Sequence, residues 1–228
     1  RGAFSVADGA QFFTGPYSPN PVLFTGTFTS GNGSVIGTNN STSDGGYWNL
    51  SGASSIALNG TTIRDATNNW QWHPSAWNFG TVAIALTNTN VIEVEQSFNS
   101  PRSGVDSRGS LQTTIAGEIS GTGGLTKRGA GSLHLNNAAN SYSGATTIDA
   151  GMLTAQGGNA IGDLSAVTLA DSISAADQGN VRATLILNAS ETVGSLAGGG
   201  ATGGNVILNG NTLTMGGNNG SGTFSGVI

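Results

Sequence analysis

Residues 116–154 read A-G-E-I-S-G-T-G-G-L-T-K-R-G-A-G-S-L-H-L-N-N-A-A-N-S-Y-S-G-A-T-T-I-D-A-G-M-L-T, and this stretch decides the fold class. Its short apolar triplets are separated by Gly, Asn and Ser, and none is long enough for a helix. In Leu133-His134-Leu135 the apolar residues alternate, which predicts a strand with both leucines facing inward and the histidine outward. Roughly twenty residues separate Leu133 from Leu153, which is typical of one turn of a parallel β-solenoid.

A second pattern, apolar-x-Leu-Asn, recurs along the chain. It occurs at Ile56–Asn59, Leu133–Asn136, Leu185–Asn188 and Val206–Asn209. We expect two inward side chains in each copy and Asn at the strand end, because Asn tolerates the left-handed backbone of a corner. Stacked Asn side chains can also hydrogen-bond from one turn to the next. At about 21 residues per turn, the whole chain predicts on the order of ten turns.

The first stretch resembles the autotransporter-associated β-strand repeat, whose pattern is G-x-G-G-L-T-K-x-G-x-G-x-L-x-L, then N-x-Y-x-G-x-T, then a G-x-L strand. The matching segments are Gly121–Leu135, Asn140–Thr146 and Gly151–Leu153. The resemblance implies a right-handed parallel β-helix, all-β in class, in a secreted bacterial surface protein. It therefore implies an extracellular or outer-membrane-associated location, and it carries no catalytic motif.

Composition agrees with a repetitive surface protein. The 228 residues include 38 glycines and no cysteine, 36% are hydrophobic, and only 8% are charged, with a net charge of −5. Without a basic stripe to neutralise phosphates, we expect no nucleic-acid partner. No apolar run approaches a membrane-spanning helix, so we expect no direct membrane insertion of this segment. No signal peptide is visible at Arg1, so we expect a piece of a longer protein.

The chain divides by regularity into two parts of one continuous domain. Residues 1–110 predict an irregular solenoid part, and residues 111–228 predict a regular part that carries the repeat. Loops are predicted at the Pro-rich segment 15–21, at 31–46, at the Trp-rich segment 65–80 and at 97–110. Proline is excluded from central strands because it removes a hydrogen-bond donor from the ladder.

The Trp-rich loop supplies the candidate binding site. Flat aromatic faces beside hydrogen-bonding edges suit sugar rings. The candidate glycan- or partner-binding residues are Trp70, Trp72, His73, Trp77, Tyr47 and Trp48. The alternative is that these aromatic side chains close over the solenoid and form a local hydrophobic cluster.

Catalytic and metal chemistry have little support. His73 and His134 are too few and too far apart in sequence for a site with several imidazoles. Glu93 and Glu95 share one face of one strand, whereas paired glycosidase carboxylates lie across a cleft. We therefore expect no enzyme activity, no metal site and no cofactor.

Two functions remain open. The first is a structural one: a stiff stalk or fibre segment at the cell surface that stacks on flanking solenoid turns or end to end on itself. The second is an adhesin module that binds surface glycans or neighbouring cells through residues 65–80. Repetition along the whole chain favours the first, whereas the second uses one loop.

Overall fold

The computed structural model of the protein describes residues 2–14, 22–38, 48–65, 77–95, 112–171 and 182–228. The regular elements of these segments are β-strands, and the strands pair in parallel. Among the described residues, no helix has the length and apolar composition that crossing a membrane requires. The chain is therefore an all-β parallel solenoid, as the repeat pattern predicts.

The first twelve strands are β1 (Ala3–Val6), β2 (Gln11–Thr14), β3 (Val22–Leu23), β4 (Thr27–Ser30), β5 (Val35–Thr38), β6 (Trp48–Asn49), β7 (Ser55–Asn59), β8 (Thr62–Asp65), β9 (Trp77–Asn78), β10 (Ile84–Thr87), β11 (Thr89–Val94) and β12 (Gln112–Ile115). The remaining strands are β13 (Ile119–Gly121), β14 (Gly124–Arg128), β15 (Ser132–Leu135), β16 (Thr146–Ile148), β17 (Met152–Ala155), β18 (Ala166–Leu169), β19 (Thr184–Leu187), β20 (Glu191–Val193), β21 (Ser195–Gly198), β22 (Asn205–Ile207) and β23 (Leu213–Met215).

These strands form three faces. The first face has the order β1-β4-β7-β10-β13, and later in the chain β20 pairs with β23. The second face, which we call the long sheet, has eight strands in the order β2-β5-β8-β11-β14-β16-β18-β21. The third face has the order β3-β6-β9 and continues with β12-β15-β17-β19-β22, since β9 contacts β12. Each turn of the chain therefore visits the three faces in sequence.

The described residues form nine turns, against an expectation of about ten. Each strand of the eight-stranded long sheet belongs to a different turn, and the parallel bridge from Gly198 to Phe224 adds a ninth. Turns in the first half are longer than those of the repeat. Phe28 pairs with Ile56, an offset of 28 residues, whereas Leu133 pairs with Leu153, an offset of 20.

The core consists of inward side chains stacked in register from turn to turn. On the third face, Leu133, Leu153, Leu185 and Val206 pair in succession. All four are buried, which confirms the predicted inward orientation of the repeat leucines. Because each turn contacts only its neighbours, stability is distributed along the axis.

Asparagine side chains join the corners of successive turns. Asn209 Nδ2 donates to Asn188 Oδ1 at 3.1 Å, and Asn88 Nδ2 donates to Asn59 Oδ1 at 2.7 Å. Asn209 and Asn88 have φ values of +49° and +53°, the left-handed region that favours Asn over most other non-glycine residues. The Asn209–Asn188 contact confirms the expected turn-to-turn hydrogen bonding.

The predicted loops compare with the structure as follows. Segments 15–21 and 97–110 lie outside the described residues. The prediction of one loop over 31–46 is wrong for residues 35–38. Val35–Thr38 forms strand β5, and Ile36 pairs with the buried Ile63. The apolar pair within this polar segment was the sign of that strand.

Candidate functional site

Two of the six candidate aromatic positions lie in the core. Trp48 and Trp77 stack with ring centroids 5.1 Å apart and an interplanar angle of 2°, and they are 0% and 2% exposed. Phe79 also stacks on Trp77, with ring centroids 5.5 Å apart. Sugar stacking needs a free ring face, and these two indoles have none to offer. They behave as the alternative interpretation predicted, as a hydrophobic cluster.

The other four candidates, Tyr47, Trp70, Trp72 and His73, lie outside the described residues. Their role as a glycan site stays a prediction. The structure does define the ends of the segments that contain them, because β8 ends at Asp65 and β9 begins at Trp77.

Five sequence segments connect a strand of the long sheet to the next strand of the third face and add residues to the connection found in the repeat. We call this edge of the solenoid the loop corner and these segments the insertions. The segments are 15–21, 39–47, 66–76, 96–111 and 172–181. Because the turns stack in register, the attachment points of these segments lie above one another along one side of the molecule.

In the repeat itself the loop corner is tight, and Lys127 closes it. Lys127 pairs in register with Ile92 and Ile148, so its side chain starts inward. Its Nζ donates to the main-chain oxygens of Arg128 at 2.6 Å, Gly129 at 2.6 Å and Ala150 at 3.2 Å. The side chain is fully buried. A buried lysine thus supplies the three donors that the carbonyls of this corner need.

Glycine is required beside this ammonium. A Cβ atom at position 151 would lie 2.8 Å from Lys127 Nζ and 2.3 Å from the Gly129 oxygen, and Gly151 has a φ of +71°. Burial lowers the pKa of Lys127 to about 7, while the nearby carboxylates of Glu95, Glu93 and Asp149 raise it.

In the second and third turns, tryptophan side chains donate to the main-chain oxygens at the loop corner, as Lys127 does in the fifth. The Trp48 indole N–H donates to the Gly37 oxygen at 3.2 Å, and that of Trp77 donates to the Arg64 oxygen at 3.1 Å. Gly37 and Arg64 pair directly, and Glu93 links Arg64 in register to Arg128. The carbonyl oxygens of Gly37, Arg64 and Arg128 therefore occupy equivalent positions in the second, third and fifth turns. An indole N–H donates to the first two, and the Lys127 ammonium donates to the third.

The second part of the repeat motif replaces a missing strand on the first face. Asn140 Oδ1 accepts a hydrogen bond from the Ile119 N–H at 2.7 Å, and its Nδ2 donates to the Ala160 oxygen at 2.6 Å. Asn140 is buried. One amide side chain thus links three successive turns where a backbone ladder is interrupted.

A buried hydroxyl chain follows in the same motif. The Tyr142 hydroxyl lies 2.8 Å from Thr146 Oγ1, which lies 2.8 Å from Ser165 Oγ. Ser165 Oγ in turn donates to the Gly144 oxygen at 2.8 Å. Burial raises the pKa of Tyr142. The hydroxyl groups of the motif therefore bond to one another inside the solenoid.

The outer surface of the long sheet carries alternating charges. Arg64 Nε lies 3.5 Å from Glu93 Oε2, and Arg128 Nε donates to Asp149 Oδ2 at 2.9 Å. Burial, reinforced by Glu93, raises the pKa of Glu95 to about 6. Glu93 lies in β11 and Glu95 directly follows that strand, so they do not face each other across a cleft as glycosidase carboxylates do.

His134 is the histidine that lies among the described residues. His134 points away from the core, its Nδ1 lies 2.6 Å from Gln156 Nε2, and burial lowers its pKa. In the segments that the structure describes, no three His, Asp or Glu side chains are grouped to hold a metal ion.

Sequence reasoning missed the inward position of Lys127. It is the single lysine of the chain, and it stands where the neighbouring turns have isoleucine. Aligning the turns in register would have shown a lysine at a position that is isoleucine in the turns on either side, and this was the available sequence signal.

The chain has matches among known proteins. Residues 125–155 match the passenger-associated-transport-repeat family. Over 117 residues the chain is 44% identical to the adhesin BmaC autotransporter of Brucella suis biovar 1 (strain 1330), an alignment that covers 50% of this chain and 3% of that protein. No solved structure matches the chain significantly. The chain thus corresponds to a small part of a much longer relative.

Proposed function

We propose, from the premise that the chain is an autotransporter passenger-repeat protein, that it is a non-enzymatic structural segment, a stiff stalk at the bacterial surface. The observation that carries the proposal is the continuity of the long sheet, whose eight strands stack in parallel and whose pairing extends to a ninth turn at Phe224. Parallel pairing along the long sheet couples each turn to its neighbours, although the first face is interrupted between β13 and β20. Further support is that Leu125, Lys127, Asn140 and Tyr142 of the repeat motif are buried inside the solenoid, where they stabilise it.

The proposal includes an extracellular location associated with the outer membrane. Its support is the matched repeat and the relative, which is named an autotransporter adhesin. The low charge and the abundance of Gly, Ser, Thr and Asn suit a rod whose outward-facing side chains are small and polar.

Stacking on further solenoid turns, from the parent chain or from a second copy, completes the proposal. The outer turns carry exposed apolar side chains, with Phe12 41% exposed and Leu23 62% exposed at one end. At the other, Met215 is 54% exposed and Val227 is 67% exposed. A covering turn would bury these side chains and pair the free strand edges.

Small-angle X-ray scattering at rising protein concentration tests this function. Nine turns at about 4.8 Å each predict a rod of roughly 45 Å along the axis for this segment. Lengthening in multiples of this value, with a constant cross-section, is the result expected for end-to-end stacking. A compact scattering profile without a rod cross-section would refute the stalk.

A second function, adhesion through the loop corner, rests on a separate observation. The strand ends that flank the insertions lie along one side of the solenoid. In solenoids, insertions that collect on one side often form the binding face. The candidate residues within the insertions are Tyr47, Trp70, Trp72 and His73.

Glycan-array binding of loop variants tests adhesion. One variant replaces 66–76 by a short Gly-Asn turn, and a matched control replaces 172–181 at the same corner. A third variant carries Trp70→Ala and Trp72→Ala and keeps the buried Trp77. Loss of binding in the first and third variants, with an unchanged circular dichroism spectrum, is expected. Equal binding by all variants would refute this role of the loop.

A further inference from the structure

Glu191 is a buried acid at the junction of two turns. It begins strand β20 and is only 2% exposed. Its Oε1 accepts a hydrogen bond from the Ile161 N–H at 2.8 Å, and its Oε2 accepts one from the Ala160 N–H at 3.2 Å. One carboxyl group thus bonds the eighth turn of the solenoid to the main chain of the seventh.

The carboxyl takes the place of a backbone ladder. Residues 160–162 form no strand, so their N–H groups need acceptors from the next turn. Two turns earlier, Asn140 accepts from the Ile119 N–H in the same way. The neutral amide of Asn140 is insensitive to pH, whereas the carboxyl of Glu191 can ionise.

Among the described residues, the surroundings of Glu191 supply no compensating positive charge. In the part of the chain that the structure describes, no Lys, Arg or His forms an ion pair with it. The negative charge of Asp163 opposes ionisation of Glu191. Glu191 in turn raises the pKa of the neutral Tyr142 hydroxyl. On the other side it pairs with Leu213, which is uncharged.

Burial therefore dominates the titration of this group. It raises the pKa of Glu191 from 4.5 to about 7, while the two main-chain N–H donors lower the pKa and offset part of that effect. An ionised carboxylate in this position has lost its hydration and gained only neutral donors.

We propose that Glu191 makes the junction between the seventh and eighth turns a pH-sensitive joint, closed when the carboxyl is protonated and weakened when it is ionised. The folded joint binds its proton more tightly than the open one. Its contribution to stability is therefore complete below pH 4.5 and is lost as the pH rises through about 7. Acidification tightens the joint, and mildly alkaline conditions loosen the turns that follow it. This regulation is separate from the stalk and adhesin functions.

Hydrogen exchange measured by mass spectrometry at pH 5 and pH 8, normalised for intrinsic exchange rates, tests the joint. The informative peptides cover 157–170 and 188–198. We expect protection there to fall by up to roughly 100-fold between the two pH values. Peptides from the first and second turns, which lie away from both Glu191 and the carboxyl of Glu95 with its raised pKa, serve as the internal reference and should change far less.

Variants separate the carboxyl from general pH effects. Glu191→Gln imitates the protonated acid and should make protection at the joint independent of pH. Asp163→Asn removes an exposed neighbouring charge and should move the transition to lower pH without disturbing the fold. Glu118→Gln, at an exposed position, should behave as the unaltered chain. A pH dependence that survives Glu191→Gln, or a midpoint that Asp163→Asn leaves in place, would overturn the proposal.

Discussion

Replacing Lys127 with methionine removes the buried ammonium and keeps an apolar side chain of similar length. Methionine suits the inward column between Ile92 and Ile148, so packing is largely preserved. The substitution therefore isolates the hydrogen bonds of the loop corner.

The magnitude follows from the three carbonyl oxygens that lose their donor, those of Arg128, Gly129 and Ala150. Each buried acceptor left unpaired costs about 1–3 kcal/mol. Two effects offset part of this loss of stability. Methionine carries no charge that must be desolvated on folding, and water that reaches the corner can donate to the free carbonyl oxygens. We expect a net loss of about 3 kcal/mol in local stability.

Hydrogen exchange of peptides within 125–155 is the suitable assay, because a solenoid opens turn by turn. The expected loss corresponds to roughly 100-fold lower protection, since about 1.4 kcal/mol is a factor of ten. Arg128→Met is the matched control: it lies one residue further on, is exposed, and loses only a surface ion pair with Asp149, worth about 0.5 kcal/mol. Protection within threefold of the unaltered chain in Lys127→Met would refute the corner argument.

Two further substitutions test the buried groups. Trp77→Ala should lower the free energy of unfolding by about 3–5 kcal/mol, because it removes a buried indole stacked on Trp48; a melting temperature equal to that of the unaltered chain would contradict this. Tyr142→Phe keeps the ring but removes the hydroxyl bonded to Thr146, at a cost of about 1 kcal/mol in urea denaturation. The outward Thr147→Val is its control, and equal losses in the two variants would argue against the hydroxyl chain.

Some features could be read from local sequence because they depend on alternation along a strand. Leu133 and Leu153 are two residues of a period-two pattern, and both are buried as predicted. Asn209 ends such a pattern and adopts the left-handed backbone that a corner needs. In each case the neighbouring residues carry the information.

Other features depend on which residues become neighbours across turns. Trp48 and Trp77 are 29 residues apart, and the sequence left open whether they bind a glycan or form a hydrophobic cluster, whereas the structure stacks them in the core. The length of the insertion between them sets that register, and no short-range pattern reports it. The same reason explains why the described residues form fewer turns than a uniform 21-residue repeat predicts.

The sequence by itself determined the parallel solenoid, its inward leucines and the resemblance of 116–154 to a surface-protein repeat. Only the tertiary structure decided that Lys127 faces inward and that Glu191 bonds the preceding turn. A polar residue at an inward position looks exposed until its partners are known. For Lys127 one of them, Ala150, lies 23 residues away, and for Glu191 the nearer, Ile161, lies 30 residues away. The closing of each turn brings these partners together, and that closure is a property of the whole chain.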